Sequence, residues 1–181
     1  MEGSDRLRLF LALQLPPDVV EELVAWQSRE LRGRVVPPEN LHVTLAFLGA
    51  RPEAELPAIV GVLERAARDA VAPRLELGAY RETRSVGMLT LRDASGTATE
   101  LARRLHGGLE ELGVYRPEHR PWRPHVTVLR FRERPRLRPS LPALGPFVTS
   151  DAAAYLSRLH PSGARYEVLE SFRLSQRTAG G

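Results

Sequence analysis

The chain has 181 residues, of which 43% are hydrophobic and 27% are charged, so it is long enough to bury a core and is not expected to be disordered as a whole. It contains no cysteine, which excludes disulfides, thiolate nucleophiles and cysteine-ligated zinc. All 26 basic residues are arginine and the net charge is +4, which favours phosphate-rich partners, although a biased genome composition gives the same arginine excess.

The N-terminal region carries no targeting signal that we recognise. Its uninterrupted apolar run, residues 9–13, is too short for a signal peptide, and no stretch of the chain approaches the roughly 18 apolar residues of a membrane span. We therefore expect a cytoplasmic protein with no membrane association.

The first half of the chain predicts two strands and two helices. Leucine at every second position predicts a strand at 6–15 with one fully apolar face. A Pro pair then begins a helix that runs to 31. A second strand at 41–48 ends at Gly49, and a second helix covers 56–71.

The second half predicts five strands and one helix. The helix begins with a Thr-x-x-Glu capping box at 97–100, carries leucines along one side, and ends before Gly113. The predicted strands lie at 74–80, 86–92, 125–131, 147–159 and 166–174.

The order of these elements predicts an α+β fold with mostly antiparallel sheet and helices outside. The strand at 41–48 and the strand at 125–131 each follow a helix and a proline-rich segment, which indicates a diverged internal duplication. We therefore predict a single domain at 1–175 made of two pseudo-symmetric lobes around a central groove, with a flexible C-terminal tail at 176–181.

The triplet His-Val-Thr occurs twice, at 42–44 and 125–127, 83 positions apart. A random shuffle of the chain gives roughly 0.2 His-x-Thr triplets, so two copies in matching contexts exceed the chance level. Residues i and i+2 of a strand share a face. His42 and Thr44 are therefore expected on one face, and so are His125 and Thr127.

Two imidazoles and two hydroxyls in one groove suit phosphoester hydrolysis without a metal. One neutral His takes a proton from water while the other, protonated, gives one to the leaving oxygen. The Thr44 and Thr127 hydroxyls can donate to phosphate oxygens. Arg130 falls on the opposite face by strict alternation, and a bulge would return it to the phosphate. Two alternatives remain. The triplets could belong to half-buried strands with a purely structural role, or the two His could bind a metal, although two His are few ligands for a metal site.

The segment 116–138 contains eight Arg and two Glu, with Trp122 and Phe131 among them. Basic residues interleaved with aromatic residues are typical of RNA-binding surfaces, where bases stack and phosphates pair with cations. A solvated arginine-rich loop is the alternative. The remaining histidines, 106, 119 and 160, receive no role, and His106 is expected on the solvent face of its helix.

Four stretches together resemble the two-histidine phosphoesterase superfamily, whose signature is a repeated His-x-Thr-x. They are LFLALQLP, PPENLHVTLAFLG, RPWRPHVTVLR and YLSRLHPSGARYEVLESFRL. Within it, the chain is most similar to the bacterial and archaeal RNA 2′,3′-cyclic phosphodiesterases, also called 2′-5′ RNA ligases. The middle strand SVGMLTLRD departs from the family pattern, which often has Trp there.

The resemblance implies a bilobal fold, no metal and no cofactor, and hydrolysis of a terminal 2′,3′-cyclic phosphate to a 2′-phosphate. It implies that His42 is the proton donor, that His125 is the proton acceptor, and that Thr44 and Thr127 hold the phosphate. The partner it implies is RNA with a 2′,3′-cyclic end, such as a tRNA half. We expect the protein to be a monomer, since nothing in the sequence demands an oligomer. The reverse reaction would be 2′-5′ RNA ligation.

Two other functions stay open on the sequence. One is cyclic phosphodiesterase activity on small nucleotides, and the other is a non-catalytic module that binds RNA or nucleotides in the same groove.

Overall fold

The computed structural model describes residues 5–176, and in that range the chain forms nine strands and three α-helices. The first half contains β1 (Arg6–Gln14), α1 (Pro17–Glu30), β2 (Arg34–Val35), β3 (His42–Pro52) and α2 (Leu56–Arg68). The second half contains β4 (Arg74–Glu82), β5 (Val86–Arg92), α3 (Thr97–Glu111), β6 (His125–Arg130), β7 (Phe147–Val148), β8 (Asp151–Arg158) and β9 (Arg165–Arg173). Except for Gln176, the predicted tail lies outside the described residues.

The strands form one sheet in the order β7-β4-β5-β6-β3-β1-β8-β9, with β2 added alongside β6. Pairing between neighbouring strands is antiparallel throughout the described residues. The α+β fold predicted from the sequence is confirmed. The two strands that carry His-Val-Thr, β3 and β6, are neighbours at the centre of this order, and each is the innermost strand of a four-stranded half.

Strand β1 is buried on both faces, whereas the leucine alternation predicted only one apolar face. Leu9, Leu11 and Leu13 belong to the main core. Phe10 and Ala12 are also buried, in a second cluster with Ala153, Tyr155 and the half-buried Tyr166 on the other face of the sheet. The position of β1 between β3 and β8 explains the difference, because aromatic side chains of β8 and β9 cover the face that local alternation leaves open.

Two local predictions are wrong. Strand β3 continues past Gly49 to Pro52, because Gly49 adopts a positive φ of 69° at an irregularity in the pairing with β1 without ending the strand. The capping box of α3 does not form. The N-cap is Gly96, and the carboxylate of Asp93 accepts hydrogen bonds from the N–H groups of Ala98 and Thr99.

Each of two helices contacts the His strand of the other half of the chain. Gln27 of α1, which is buried, donates a hydrogen bond from Nε2 to the carbonyl of Val128 in β6 at 2.9 Å. His106 of α3 donates from Nε2 to the carbonyl of Leu45 in β3 at 2.7 Å. The two halves are therefore interlocked beneath the sheet. No helix among residues 5–176 is both long and apolar enough to cross a membrane.

Candidate active site

Strands β3 and β6 meet where Val43 pairs with Val126. Both valines are buried in the main core, and the residues on either side of each, two His and two Thr, are only partly buried. The alternation therefore turns all four polar side chains away from the core. His42, Thr44 and Thr127 line one cavity of about 370 Å³, together with Arg130, Phe10 and Tyr166. We call it the His42 cavity.

His125 lies at the edge of a second, larger cavity of about 520 Å³, which also includes Thr44 and Phe47. Its other wall is the loop 115–123, and we call it the loop cavity. Since Thr44 and Phe47 line both cavities, the two form one continuous groove across the paired strands. The groove contains both imidazoles and both hydroxyls, as the sequence pattern predicts.

The same bulge interrupts both His strands directly after the threonine. In β3, Leu45 has no partner in β1, because Ala12 pairs with Thr44 and Leu11 with Ala46. In β6, Val128 has no partner in β5, since Met88 pairs with Thr127 and Gly87 with Leu129. One extra residue shifts the alternation by one position.

The bulges bring the fifth residue after each His back to the groove face. In the second half this residue is Arg130, which lines the His42 cavity. In the first half it is Phe47, whose side chain is 52% exposed and lies under the Arg8 guanidinium, 5.1 Å from the ring centroid. Strict alternation would place Arg130 on the far face of the strand. The bulge after Thr127 breaks this alternation, so Arg130 lies on the groove face.

His42 is held by two hydrogen bonds and packed among aromatic rings. Its Nδ1–H donates to the carbonyl of Asn40 at 2.8 Å, and its Nε2 lies 2.9 Å from the Thr44 hydroxyl. The ring stacks on Phe10, with centroids 4.9 Å apart, and forms a T-shaped contact with the Tyr166 ring, with centroids 5.6 Å apart. Because Nδ1 carries the proton in this arrangement, Nε2 of the neutral ring accepts a hydrogen bond from Thr44.

Burial among these rings lowers the pKa of His42 from 6.5 to about 4. The carbonyl of Asn40 opposes the shift by favouring the charged ring, and the positive charges of Arg130 and His125 add to it. At neutral pH the free protein therefore holds His42 as a neutral imidazole. The influence of Arg130 and His125 also shows that all three groups share one electrostatic environment.

His125 has the same hydrogen bond as His42 in a more open setting. Its Nδ1–H donates to the carbonyl of Arg123, two residues upstream, at 3.1 Å. In the described part of the chain, no aromatic ring packs against its imidazole. The ring lines the loop cavity. Both histidines therefore direct Nε2 away from their own backbone, and only His42 has that atom already bonded to a threonine.

Three supporting residues were missed or misplaced by sequence reasoning. His106 is partly buried, its ring stacks on Tyr115 at 4.8 Å, and it lines the loop cavity, so its predicted solvent-face position is wrong. Gln27 was assigned only to a helix, although its side chain supports the bulge of β6. The sequence indicates a supporting role for His106 and Gln27, since each is a polar residue on the inner side of a helix and needs a buried hydrogen-bond partner.

Asn40, which lies in the proline-rich segment before β3, is the third and connects the groove to the β8–β9 hairpin. Its carbonyl orients His42, and its Nδ2 donates to the carbonyl of Ala164 at 2.9 Å. Its Oδ1 is buried without a hydrogen-bond partner among residues 5–176, and the residue lines the His42 cavity. Asn40 therefore couples the orientation of the first His to a loop more than 120 residues away in the chain.

The other predicted elements of the site do not all converge on the groove. Trp122 donates from Nε1 to the carbonyl of Thr44 at 3.0 Å, and with Arg120 and Arg123 it lines the loop cavity. His119 and His160 are exposed and line neither of the two cavities. No group of three or more His, Cys, Asp or Glu residues in the described range is arranged to hold a metal ion.

The chain matches the model of the 2′-5′ RNA ligase superfamily over residues 15–165. It is 37% identical to the RNA 2′,3′-cyclic phosphodiesterase of Thermus thermophilus, over 93% of this chain and 90% of that protein, and 27% identical to the Escherichia coli protein of the same name, over 96% and 99%. Among solved structures, it is similar to Escherichia coli LigT complexed with 3′-AMP, with a TM-score of 0.82, 26% identity, and coverage of 95% of this chain and 100% of LigT.

Proposed function

Since the chain belongs to the 2′-5′ RNA ligase superfamily, we propose that it is an RNA 2′,3′-cyclic phosphodiesterase that leaves a 2′-phosphate. The observation that carries the proposal is the pair of His-x-Thr motifs on neighbouring strands, which turn two imidazoles and two hydroxyls into one groove beside Arg130. The relatives that bear this name cover nearly the whole chain.

In the proposed reaction, His125 is the acceptor and His42 the donor. Nε2 of His125 takes a proton from water as the water oxygen bonds to phosphorus, and Nε2 of His42 gives a proton to the 3′ oxygen as the phosphorus–O3′ bond breaks. The Thr44 and Thr127 hydroxyls and the Arg130 guanidinium bind the non-bridging oxygens, where negative charge increases in the transition state.

The low pKa of His42 requires that its second proton arrives with the substrate. A bound phosphodiester brings a negative charge between His42 and Arg130, which favours the imidazolium and offsets the repulsion from the guanidinium. Protonation of Nε2 turns this atom from the acceptor of the Thr44 hydroxyl into a donor, so the hydroxyl is released to bind phosphate.

Ligation uses the same groups with a 5′-hydroxyl in place of water. Water, at about 55 M, competes effectively with a dilute 5′-hydroxyl unless that end is positioned. We therefore rank hydrolysis as the main activity. The proposed physiological form is a cytoplasmic monomer that acts on RNA ends such as those of tRNA halves.

The first experiment is a turnover assay in EDTA with an RNA oligomer that ends in a 2′,3′-cyclic phosphate. The expected product is the 2′-phosphate, identified by its separation from the 3′ isomer. A 3′-phosphate product would show that the other bond breaks. Binding of the oligomer without turnover would favour the non-catalytic module instead.

The roles of the two histidines are separated by a substrate whose 3′ oxygen is replaced by sulfur. A thiolate leaves without protonation, because the pKa of a thiol is about 8.5 and that of an alcohol is far higher. The sulfur substrate is expected to restore most of the rate lost in His42→Ala and none of that lost in His125→Ala. Restoration of His125→Ala alone would reverse the assignment.

A further inference from the structure

The excess positive charge of the chain is concentrated in one short segment. Residues 130–138 contain five Arg and one Glu, a net charge of +4, which equals the net charge of the whole protein. Outside this segment the remaining 21 Arg are matched by 21 acidic residues. A genome bias towards arginine acts on the whole chain, and it does not explain why the unmatched charge lies in nine residues.

Most of these arginines belong to a long connection between β6 and β7. Residues 131–146 form neither helix nor strand, and we call them the arginine strap. A connection of this length without regular structure is uncommon in a compact domain and is usually either functional or disordered. The arginines of the strap are all exposed, at positions 132, 134, 136 and 138.

The strap is not a loose loop, because groups of the surrounding fold hold its backbone. The carboxylate of Glu82, whose side chain is 3% exposed, accepts a hydrogen bond from the Leu137 N–H at 3.2 Å. Trp26 donates from Nε1 to the carbonyl of Ser140 at 2.6 Å, and the Ser140 N–H donates to the Glu30 carboxylate at 3.2 Å. A backbone that is already held loses less conformational freedom when a partner binds.

The same contacts present two arginines to solvent. Leu137 packs against the main core, whereas Arg136 and Arg138, on either side of it, are exposed. Arg136 has a φ of 57°, the one positive value for a residue other than glycine among residues 5–176. Such a conformation persists where the surrounding structure enforces it, and it is frequent at sites that bind ligands.

The guanidinium groups of Arg136 and Arg138 are free to bind a partner. Arg134 pairs with Glu82 at 3.5 Å, but Arg136 and Arg138 make no side-chain hydrogen bond or ion pair with another residue in the described range. Glu133 is the one acidic residue of the strap. Because a guanidinium matches the oxygens of a phosphate with two parallel N–H donors, unpaired arginines suit a partner that carries several phosphates.

The strap begins at the groove. Arg130 lines the His42 cavity, and the Phe131 N–H donates to the carbonyl of Ser85 where the chain leaves the sheet. Six residues of backbone span at most about 20 Å, so Arg136 lies within that distance of Arg130. A stacked strand of nucleic acid has one phosphate per roughly 3.4 Å of its axis, so about six nucleotides cover the distance. An RNA whose 3′ end lies in the groove can therefore reach the strap with its upstream nucleotides.

We propose that the arginine strap binds the phosphate backbone of the RNA substrate through Arg136 and Arg138, several nucleotides upstream of the 2′,3′-cyclic end. The inference rests on the proposed function, since it takes the cyclic end to lie beside Arg130. The strap selects for chain length, because an RNA of more than about six nucleotides contacts both the groove and the strap, whereas a mononucleotide contacts the groove alone. The contact is to phosphates and is independent of base sequence.

The test compares kcat/KM for adenosine 2′,3′-cyclic monophosphate with kcat/KM for an RNA of about 15 nucleotides that ends in a 2′,3′-cyclic phosphate. The double substitution Arg136→Gln with Arg138→Gln is expected to lower the value for the RNA about tenfold and to leave the value for the mononucleotide unchanged. For the RNA, the slope of log kcat/KM against log salt concentration should become less steep by about 1.4, since each lost phosphate contact removes about 0.7.

The matched control is the double substitution Arg65→Gln with Arg68→Gln. It removes the same charge from exposed positions of α2, which packs against α3, β8 and β9, and it should change neither substrate. Circular dichroism checks that both double variants fold.

Three results would overturn the inference while hydrolysis of both substrates by the unaltered protein shows that the proposed function stands. The first is an unchanged kcat/KM for the RNA in the strap variant, which would leave the strap to a partner other than RNA. The second is an equal fall for both substrates, which would place the effect in the groove. The third is an equal fall in the α2 control, which would assign it to the general charge of the surface. Absence of hydrolysis by the unaltered protein would instead refute the proposed function, and the inference with it.

Discussion

The two His-Val-Thr strands have the same backbone and different surroundings. Each has its bulge after the threonine, its His Nδ1–H bonded to the carbonyl two residues upstream, and a helix from the other half beneath it. The first His packs against Phe10 and close to Tyr166, whereas no ring in the described range covers His125. The fifth residue after the His is Phe47 in one half and Arg130 in the other.

In the proposed mechanism, this difference gives the two copies of the repeated motif different chemical roles. Both imidazoles donate from Nδ1 to the carbonyl two residues upstream, and the residues around the two rings differ. Burial lowers the pKa of His42 to about 4, so that imidazole depends on the bound phosphate for its second proton. The open side beside His125 leaves room for the water molecule that attacks phosphorus in the proposed hydrolysis.

Removal of either His should have the largest effect. Because the proposed mechanism assigns one of the two proton transfers to each, His42→Ala and His125→Ala should each lower kcat/KM for a cyclic phosphate by about 100- to 10,000-fold. His119→Ala is the matched control, since this His is exposed and lies outside both cavities. Circular dichroism checks that each variant folds. Either groove variant with more than a tenth of the normal rate would contradict the two-histidine mechanism.

The buried position of His42 should make stability fall in mild acid. Its pKa is about 4 in the folded protein and 6.5 in the unfolded chain, so the unfolded state binds more protons between these values. The contribution of neutral His42 to the free energy of unfolding is fully present above pH 6.5 and is lost as the pH falls to 4. The total loss is up to about 3 kcal/mol. Urea unfolding of the normal protein and of His42→Gln across this window measures it. Two curves that fall in parallel would show that His42 does not carry the effect.

Arg130 should contribute to phosphate binding through its charge. Phe47, the corresponding residue of the first half, has no charge and cannot make this contribution. Arg130→Ala should lower kcat/KM about 10- to 100-fold through loss of a charged hydrogen-bond donor, and Arg130→Lys should restore part of the loss by restoring the charge. Removing this cation should also raise the pKa of His42, which an NMR titration of the ring detects. Arg132→Ala, exposed and outside the groove, is the control. A loss of equal size in Arg132→Ala would mean that Arg130 acts only through the general charge of the surface.

Local periodicity predicted what depends on local geometry. Alternation over two residues placed His and Thr on one face and Val in the core at both strands, and the repeated triplet indicated that the two faces belong together. Most strands and helices were also predicted from local periodicity, and the errors lie at element ends that depend on a single residue. Asp93 replaces the predicted cap of α3, because an acceptor outside the motif reaches the same N–H groups.

The rest of the site depends on contacts between distant parts of the chain. Tyr155 and Tyr166 reach His42 from strands more than 100 residues away, so the pKa of His42 had no local signal. The bulge that turns Arg130 to the groove is visible only in the register with β5. The loop cavity arises because the segment between the helix and the His strand is longer in the second half of the chain than in the first. The sequence alone does not show the effect of this difference, because it depends on the pairing of β2 with β6.

The supports beneath the two bulges should be unequal in strength, and this is the smallest expected effect. Gln27 is buried and donates to the carbonyls of Val36 and Val128, at 3.0 and 2.9 Å, whereas His106 is partly exposed and donates to Leu45 alone among the described residues. Gln27→Leu should lower the free energy of unfolding by about 1–3 kcal/mol, and His106→Phe by about 1 kcal/mol. Urea unfolding at one pH measures both.

The location of each effect gives a stricter test than its size. The helix of one half supports the strand of the other, so Gln27→Leu should speed hydrogen exchange at the β5–β6 amides around the Val128 bulge and leave the β1–β3 amides protected. His106→Phe should do the reverse, with faster exchange around the Leu45 bulge. If each variant instead loosened its own half, the interlocked arrangement of the helices would be wrong, and the asymmetry between the two histidines would have to come from the aromatic residues of β1, β8 and β9 alone.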